Sequence, residues 1–246
     1  VGFIALLLLN YFIVISQGIY FILLLIWFLI TAFGSISIGW NYHLKSLNNN
    51  KEILENQVAI TFDDGPNPEF TSKVLSLLKK YQAKATFFCI GKNIKAHQEL
   101  FKKIVSEGHT VANHTYSHSN FFGFFSVKKV VSELRQTNKV VKEISGLEMK
   151  LYRPAFGITN PHIKKALKIT GLHSIGWSKR SLDTTSLSEK TILNRVTHNL
   201  KKGDIILLHD SSLKTLNVLE QLLLFLQANH MQSVTVDQLL SLKPYA

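Results

Sequence analysis

A single cysteine, Cys89, is all that the 246-residue chain offers to sulfur chemistry, which excludes an intramolecular disulfide. Lying in the apolar run Ala85-Thr86-Phe87-Phe88-Cys89-Ile90, it reads as a core residue. Charge is missing in a more instructive way. From Val1 to Leu44 there is no Lys, Arg, Asp or Glu, so the whole formal net charge of +12 belongs to residues 45–246. The chain has no internal repeat and no low-complexity stretch beyond Asn48-Asn49-Asn50. It also lacks any recognised nucleic-acid motif, so the lysine excess reads as a solvated, anion-tolerant surface and nucleic acid is not an expected partner.

The uncharged part holds two apolar runs, Val1 to Ser16 and Gly18 to Ile38, parted by Ser16-Gln17-Gly18. A bilayer span needs roughly 20 apolar residues, a length the second run meets, with Tyr20, Trp27 and Trp40 as interfacial aromatics. The preferred reading of residues 1–44 is a membrane anchor of two apolar helices, with a single long anchor as the simpler alternative. A signal peptide is disfavoured, because the stretch far exceeds the usual apolar region of roughly 7 to 15 residues and no basic segment precedes it.

Residues 45–56 read as a short polar linker. Beyond it, short β-branched and aromatic runs alternate with longer segments whose apolar residues recur every three or four positions. Strands are predicted at Gln57 to Phe62, Ala85 to Ile90, His109 to Ala112, Met149 to Tyr152, Leu172 to Ile175, Asp204 to Leu208 and Gln232 to Val234. Helices are predicted at Thr71 to Tyr81, Gln98 to Glu107, Val127 to Ser145, Pro161 to Thr170, Ser188 to Leu200 and Leu213 to Asn229. This alternation implies a parallel α/β architecture, an open sheet or a barrel, whose chemistry collects at the carboxyl ends of the strands.

Those strand ends are polar. The first runs into Asp63-Asp64-Gly65-Pro66, where the Gly-Pro break lets both carboxylates turn toward one pocket, one to bind a metal and one to remain a free base. The third runs into His114-Thr115-Tyr116-Ser117-His118. On a helical turn the two histidines share a face, and with Asp64 they make a two-His, one-carboxylate set with open positions. After the fourth, Arg153 is placed to pair with Asp63, and the irregular Pro154 to Gly157 turn to offer a backbone N–H to an oxyanion. His209, directly after a buried strand, suits a general acid or base, while Asp210 reads as the N-cap of the next helix.

Taken in order, Thr61 to Pro66, His114 to His118, Arg153 to Gly157, Asp183 and Leu207 to His209 resemble the five motifs of the polysaccharide deacetylases, the NodB-homology family or carbohydrate esterase family 4. The resemblance covers residues 57 to about 240 and implies a catalytic domain at 57–242 with a distorted (β/α) barrel of about seven parallel strands. It also implies a divalent metal, most often Zn2+, on Asp64, His114 and His118. By the same resemblance Asp63 is the base, Arg153 its partner, His209 the acid, Asp183 the residue that orients His209, and the Phe156 N–H an oxyanion donor. The fourth motif departs from the pattern, since Thr184 stands where a tryptophan often lines the groove. Lys179 and Arg180 beside it favour an anionic glycan or form a plain solvated loop.

The expected activity is removal of N-acetyl groups from an envelope glycan such as peptidoglycan, a chitin-like polymer or an exopolysaccharide. An O-acetyl esterase and a silent glycan-binding protein tethered to the membrane are the alternatives. Lys45 and Lys51 hint at a cytoplasmic side by the positive-inside rule, but a polymer substrate places the catalytic part on the envelope side, and that is the expectation.

Overall fold

The computed structural model of the protein describes residues 16–246. The first apolar run lies outside the described residues except for Ser16, and with it the helical-hairpin reading of the anchor. The second run forms one helix, α1, Gln17–Ile36. At 1.5 Å per residue its 20 residues measure about 30 Å, the thickness of a bilayer's hydrocarbon core. A helix on the surface of a soluble domain hides one stripe of side chains. Within α1 only Gly34 is buried, and Phe21, Trp27 and Phe28 stand exposed, so this helix is long and apolar enough to cross a membrane.

Strand and helix then alternate. In chain order they are β1 (Gln57–Asp63), α2 (Thr71–Lys80), β2 (Ala85–Cys89), α3 (Gly91–Ala96), α4 (Gln98–Ser106), β3 (Thr110–Asn113), α5 (Val127–Ser145) and β4 (Leu151–Tyr152). There follow α6 (Pro161–Thr170), β5 (His173–Ser174), β6 (Lys179–Arg180), α7 (Glu189–Thr197), β7 (Ile205–His209), α8 (Leu213–Ala228), β8 (Gln232–Ser233) and α9 (Val236–Leu240). The helix ends follow local chemistry. Ser126, Asn160, Ser188 and Ser212 each accept a backbone N–H from the first turn of the helix they precede, and Pro161 opens α6 where its missing N–H is harmless.

Seven parallel strands in the order β5-β4-β3-β2-β1-β7-β6 form a half-barrel, with β8 paired to the start of β1. Sequence periodicity missed β6, a two-residue basic edge strand, and the short helices α3 and α9, which are too brief to show a repeat.

Period-two alternation sorts the sheet's two faces. Val58, Ile60 and Phe62 of β1, Phe87 of β2 and Ile206 and Leu208 of β7 face outward into a large apolar layer with Leu75, Phe101 and Leu222 from the helices. Burying a side chain of that size contributes ~1.5–3 kcal/mol relative to leaving it exposed. Ala59, Phe88, Ile205 and Ile175 face inward with Val236 and Leu239. Farther along the same inward face β1 presents Thr61 and Asp63, so the barrel interior turns from apolar to polar toward the strands' carboxyl ends.

Residues 45–56 are packed rather than a free tether. Leu47 bridges Ile175 beyond β5, Asn49 bridges Asp204 before β7, and Leu44, Ser46 and Ile53 are buried. The segment crosses the open side of the half-barrel, where asparagines satisfy loop backbone: Asn50 Nδ2, for example, donates to the Leu239 carbonyl at 2.7 Å. Composition marks such a stretch as polar, but only the sheet's unpaired edges make it part of the fold.

Candidate active site

The β1 end builds one half of the site. Asp63 completes the strand, and Asp64 adopts a left-handed backbone with φ of 74°, a conformation that aspartate tolerates, which swings its carboxylate to the same side as Asp63. Gly65 is required next: a Cβ there would lie 2.6 Å from Asp210 Oδ2. Asp210 is therefore a buried carboxyl beneath the turn, hydrogen-bonded by the Thr71 hydroxyl and pushed by burial up to about 7. The N-cap of α8 is Ser212 instead, because it directly precedes the first helical residue. Asn93 Nδ2 holds the Asp64 carbonyl at 2.8 Å.

His114 and His118 meet, but not on a helical turn. Residues 114–118 form a loop in which Thr115 and His118 have positive φ, and its turns bring the two rings to a centroid separation of 4.8 Å. Glu133, buried on α5, accepts hydrogen bonds from the backbone N–H groups of Tyr116 and Ser117 and from the Ser117 hydroxyl, all within 3.1 Å. A carboxylate from a distant element thus satisfies N–H groups that have no partner within the loop.

His114 Nδ1 is 2.9 Å from the Arg153 carbonyl, so this nitrogen carries the proton and the Nε2 lone pair faces the carboxylates. His114 Nε2 and His118 Nε2 lie 3.5 and 3.4 Å from Asp64 Oδ1, and that oxygen, though buried, has no hydrogen-bond partner. Three lone-pair donors turned toward one another repel unless a cation or proton stands between them. Bonds of about 2.0–2.2 Å in a tetrahedral site put neighbouring ligand atoms ~3.4 Å apart, so the triad fits a small divalent ion such as zinc.

Electrostatics tell the same story. Burial would raise the Asp64 pKa, but its contact with His114 and the charges of His114, His118 and His209 hold it well below the usual carboxylate range. Burial opposes charge on His114, yet Asp63 and Asp64 outweigh it and raise its pKa; burial and the charge of His114 push His118 down to about 4.

Arg153 is fully buried and stacks its guanidinium 3.9 Å above the Phe88 ring. It donates to Asp63 Oδ1 and Thr61 Oγ1 at 2.7 Å and to the Gly176 carbonyl at 2.8 Å, so its charge is aimed at one oxygen of Asp63.

The other half stands across the cleft at the end of β7. His209 Nδ1 donates to Asp183 Oδ1 at 2.8 Å, and Asp183 also accepts the His209 N–H and the hydroxyls of Ser181 and Thr215. His209 Nε2 is thereby turned toward Asp64 Oδ2, 4.0 Å away. Burial works against a charged His209, but the hydrogen bond and charge of Asp183, aided by Asp63 and Asp64, lift it to about 9.

Between the halves lies a cleft of about 230 Å3 that every candidate except Arg153 and Asp183 lines, those two standing behind Asp63 and His209. Phe156 has φ of 58° and tilts its ring over His118 at 4.5 Å; the hydrogen bonds of its turn are donated by Gly157 and Ile158. Gly157, at φ of 72°, is where the Trp177 ring passes, 2.5 Å from any added Cβ. Trp177 thus supplies an aromatic wall, and Thr184 is exposed at the cleft's edge. The two basic residues part company. Lys179 binds the carbonyls of His198 and Asn199, whereas Arg180 lines the cleft over Trp177. A wider hollow of about 500 Å3, lined by Lys95, Gln98, Gln136 and Glu143 among others, gathers no facing carboxylates and imidazoles.

Glu133 and Thr215 escaped the sequence reading. Glu133 shows only as a charge on the apolar face of a helix, a signal weak by itself; Thr215 shows none.

Residues 50–175 match the family profile described as polysaccharide deacetylase. A peptidoglycan-N-acetylglucosamine deacetylase of Bacillus cereus is 36% identical over 79% of this chain and 91% of its own length. The peptidoglycan-N-acetylmuramic acid deacetylase PdaC of Bacillus subtilis is 33% identical over 76% of the chain, which spans 39% of that longer protein. The solved structure of PdaC superposes with a TM-score of 0.72 at 31% identity, covering 76% of this chain and 91% of that one. The chain belongs to the polysaccharide deacetylase family.

Proposed function

We propose that the protein is a metal-dependent, membrane-anchored hydrolase that removes N-acetyl groups from an envelope glycan. The observation that carries this reading is the meeting of an Arg153-held Asp63, the Asp64/His114/His118 triad and an Asp183-held His209 around one cleft. Asp64, His114 and His118 would hold the metal, most simply Zn2+, which when bound polarises a carbonyl and makes water acidic enough to ionise near neutral pH.

The chain's own residues account for the proton traffic. Asp63, fixed on one oxygen by Arg153, accepts a proton from the water that attacks the acetamide carbon. The Phe156 N–H donates to the oxygen on which negative charge develops. His209, protonated at Nε2 and oriented by Asp183, returns a proton to the departing sugar nitrogen, leaving acetate and a free amine.

The names of the relatives support peptidoglycan as the substrate, and Arg180 in the cleft favours a sugar that bears a negative charge. The α1 helix supports anchorage, and a cell-wall substrate puts the catalytic domain on the envelope side. Mass spectrometry of peptidoglycan fragments and chitooligosaccharides incubated with the zinc-loaded protein tests the reading. Loss of acetyl with a new free amine is expected; release of acetyl from oxygen alone, or from no glycan, overturns it.

A further inference from the structure

Three segments far apart in sequence form one face around the end of α1. The Thr159 N–H donates to the Ser35 carbonyl in the last turn of α1 at 2.8 Å, and Ser35 Oγ meets His43 Nε2 at 2.9 Å. Asn160 Nδ2 donates to the Gly123 carbonyl at 2.7 Å, and His162 Nδ1 meets the Phe125 carbonyl at 3.0 Å. Beneath them Leu44, Phe122 and Ile163 share one buried cluster. The face is therefore built onto the domain, and α1 leaves the domain through it.

Its surface is unusual in two respects. Within Phe121-Phe122-Gly123-Phe124, Phe122 is buried while Phe121 and Phe124 project with 71% and 86% of their surface exposed. Trp40, Tyr42 and Ile36 are exposed nearby. In addition, residues 35–45, 119–129 and 155–170 contain Lys45, Lys128, Lys129, Lys164, Lys165 and Lys168 and not one Asp or Glu. Every one of these lysines is exposed.

Projecting aromatics on segments that also carry exposed lysines match a bilayer interface, where aromatic rings settle at headgroup depth and lysines meet anionic lipid. Resting on the anchor reading above, we infer that this face docks on the anionic surface of the same bilayer that α1 crosses, with Phe121 and Phe124 immersed. The hydrogen bonds to Ser35 hold the face at the level where α1 emerges. Its two loops are those that leave the cleft at His118 and Phe156, so docking keeps the mouth of the cleft close to the headgroups and presents it to glycan at the membrane surface.

The test uses the full chain in phosphatidylcholine vesicles with and without phosphatidylglycerol. Cys89 is buried, so a nitroxide can be directed to Phe124→Cys, to Phe121→Cys, or to Lys190→Cys on an exposed turn of α7. Each phenylalanine variant retains the other aromatic and disturbs no core contact. Labels at 121 and 124 should be shielded from a water-soluble nickel chelate and open to oxygen, with the reverse at 190. Removing phosphatidylglycerol should weaken the shielding. Labels at 121 and 124 as open to the chelate as that at 190, in protein that stays in the bilayer after alkaline washing, would overturn the docking and leave the anchor standing. Shielding indifferent to anionic lipid would overturn the part given to the lysines. Loss of the protein from the vesicles would overturn the anchor, and docking with it.

Discussion

The two halves of the cleft are built on opposite principles. The Asp183/His209 half is saturated: Asp183 accepts from the His209 ring, the His209 N–H, Ser181 and Thr215, and His209 sits at the end of a regular strand. The Asp64/His114/His118 half is unsaturated, with left-handed backbone at Asp64 and His118 and a buried carboxylate oxygen that no hydrogen bond reaches. A saturated pair holds one proton at a set place, whereas an unsaturated triad needs a cation or a proton between its lone pairs and so offers a place for a metal ion. The contrast assigns different losses to substitutions only a few ångströms apart.

The largest expected effect is at the triad. His114→Ala or His118→Ala should abolish stoichiometric zinc, measured by elemental analysis, and reduce deacetylation to background while the far-ultraviolet circular dichroism stays native. Full zinc in both variants would erase the proposed difference between the halves. Second comes Asp63→Asn, which should keep zinc and lose roughly 10²- to 10⁴-fold in kcat, the usual worth of a general base.

A smaller and more selective effect belongs to the saturated half. His209→Ala should also retain zinc, but its defect should shrink on an activated aryl acetate, whose leaving group departs without protonation, while Asp63→Asn gains nothing from that substrate. Equal rescue of both would show that the two roles are misassigned. Asp183→Asn removes the charge that raises His209. A group that must be protonated to act fails as pH rises through its pKa, so in the variant the alkaline fall in rate should begin at lower pH, and an unmoved limb would count against the pair.

The smallest effect calibrates the rest of the barrel. His109 accepts the Ala85 N–H and is held down to about 4 by burial and by Lys84, against an ordinary 6.5. The unfolded chain therefore binds a proton that the folded one refuses. Its contribution is complete above about pH 6.5 and fades as pH falls toward 4, by at most ~3 kcal/mol. Denaturant unfolding of His109→Gln across that window should show a flatter pH dependence than the parent; identical slopes would trace acid instability to the site instead.

These residues of the site were legible in the sequence because each ends or follows a strand: Asp63 at the end of β1 and Asp64 after it, His114 after β3, Arg153 after β4, His209 at the end of β7. Their supports were not, since Glu133 and Thr215 reach the site from helices whose register no local pattern reveals. His118 was found through its spacing, although the helical turn invoked for it is absent. The chain reverses there through positive φ at Thr115 and His118, which Glu133 stabilises from α5.

By itself, then, the sequence determined what local chemistry and periodicity encode: an apolar helix before Lys45, alternating strands and helices after it, and acids and imidazoles at strand ends. Only the tertiary structure decided that Asp210 lies under the Asp63–Asp64 turn and not on a helix cap, that residues 45–56 cross the half-barrel's open side, and that Arg180 but not Lys179 faces the cleft. Each of these depends on a partner 25 or more residues away or on which of two neighbouring side chains a strand turns inward, and such contacts exist only once the whole sheet has closed around them.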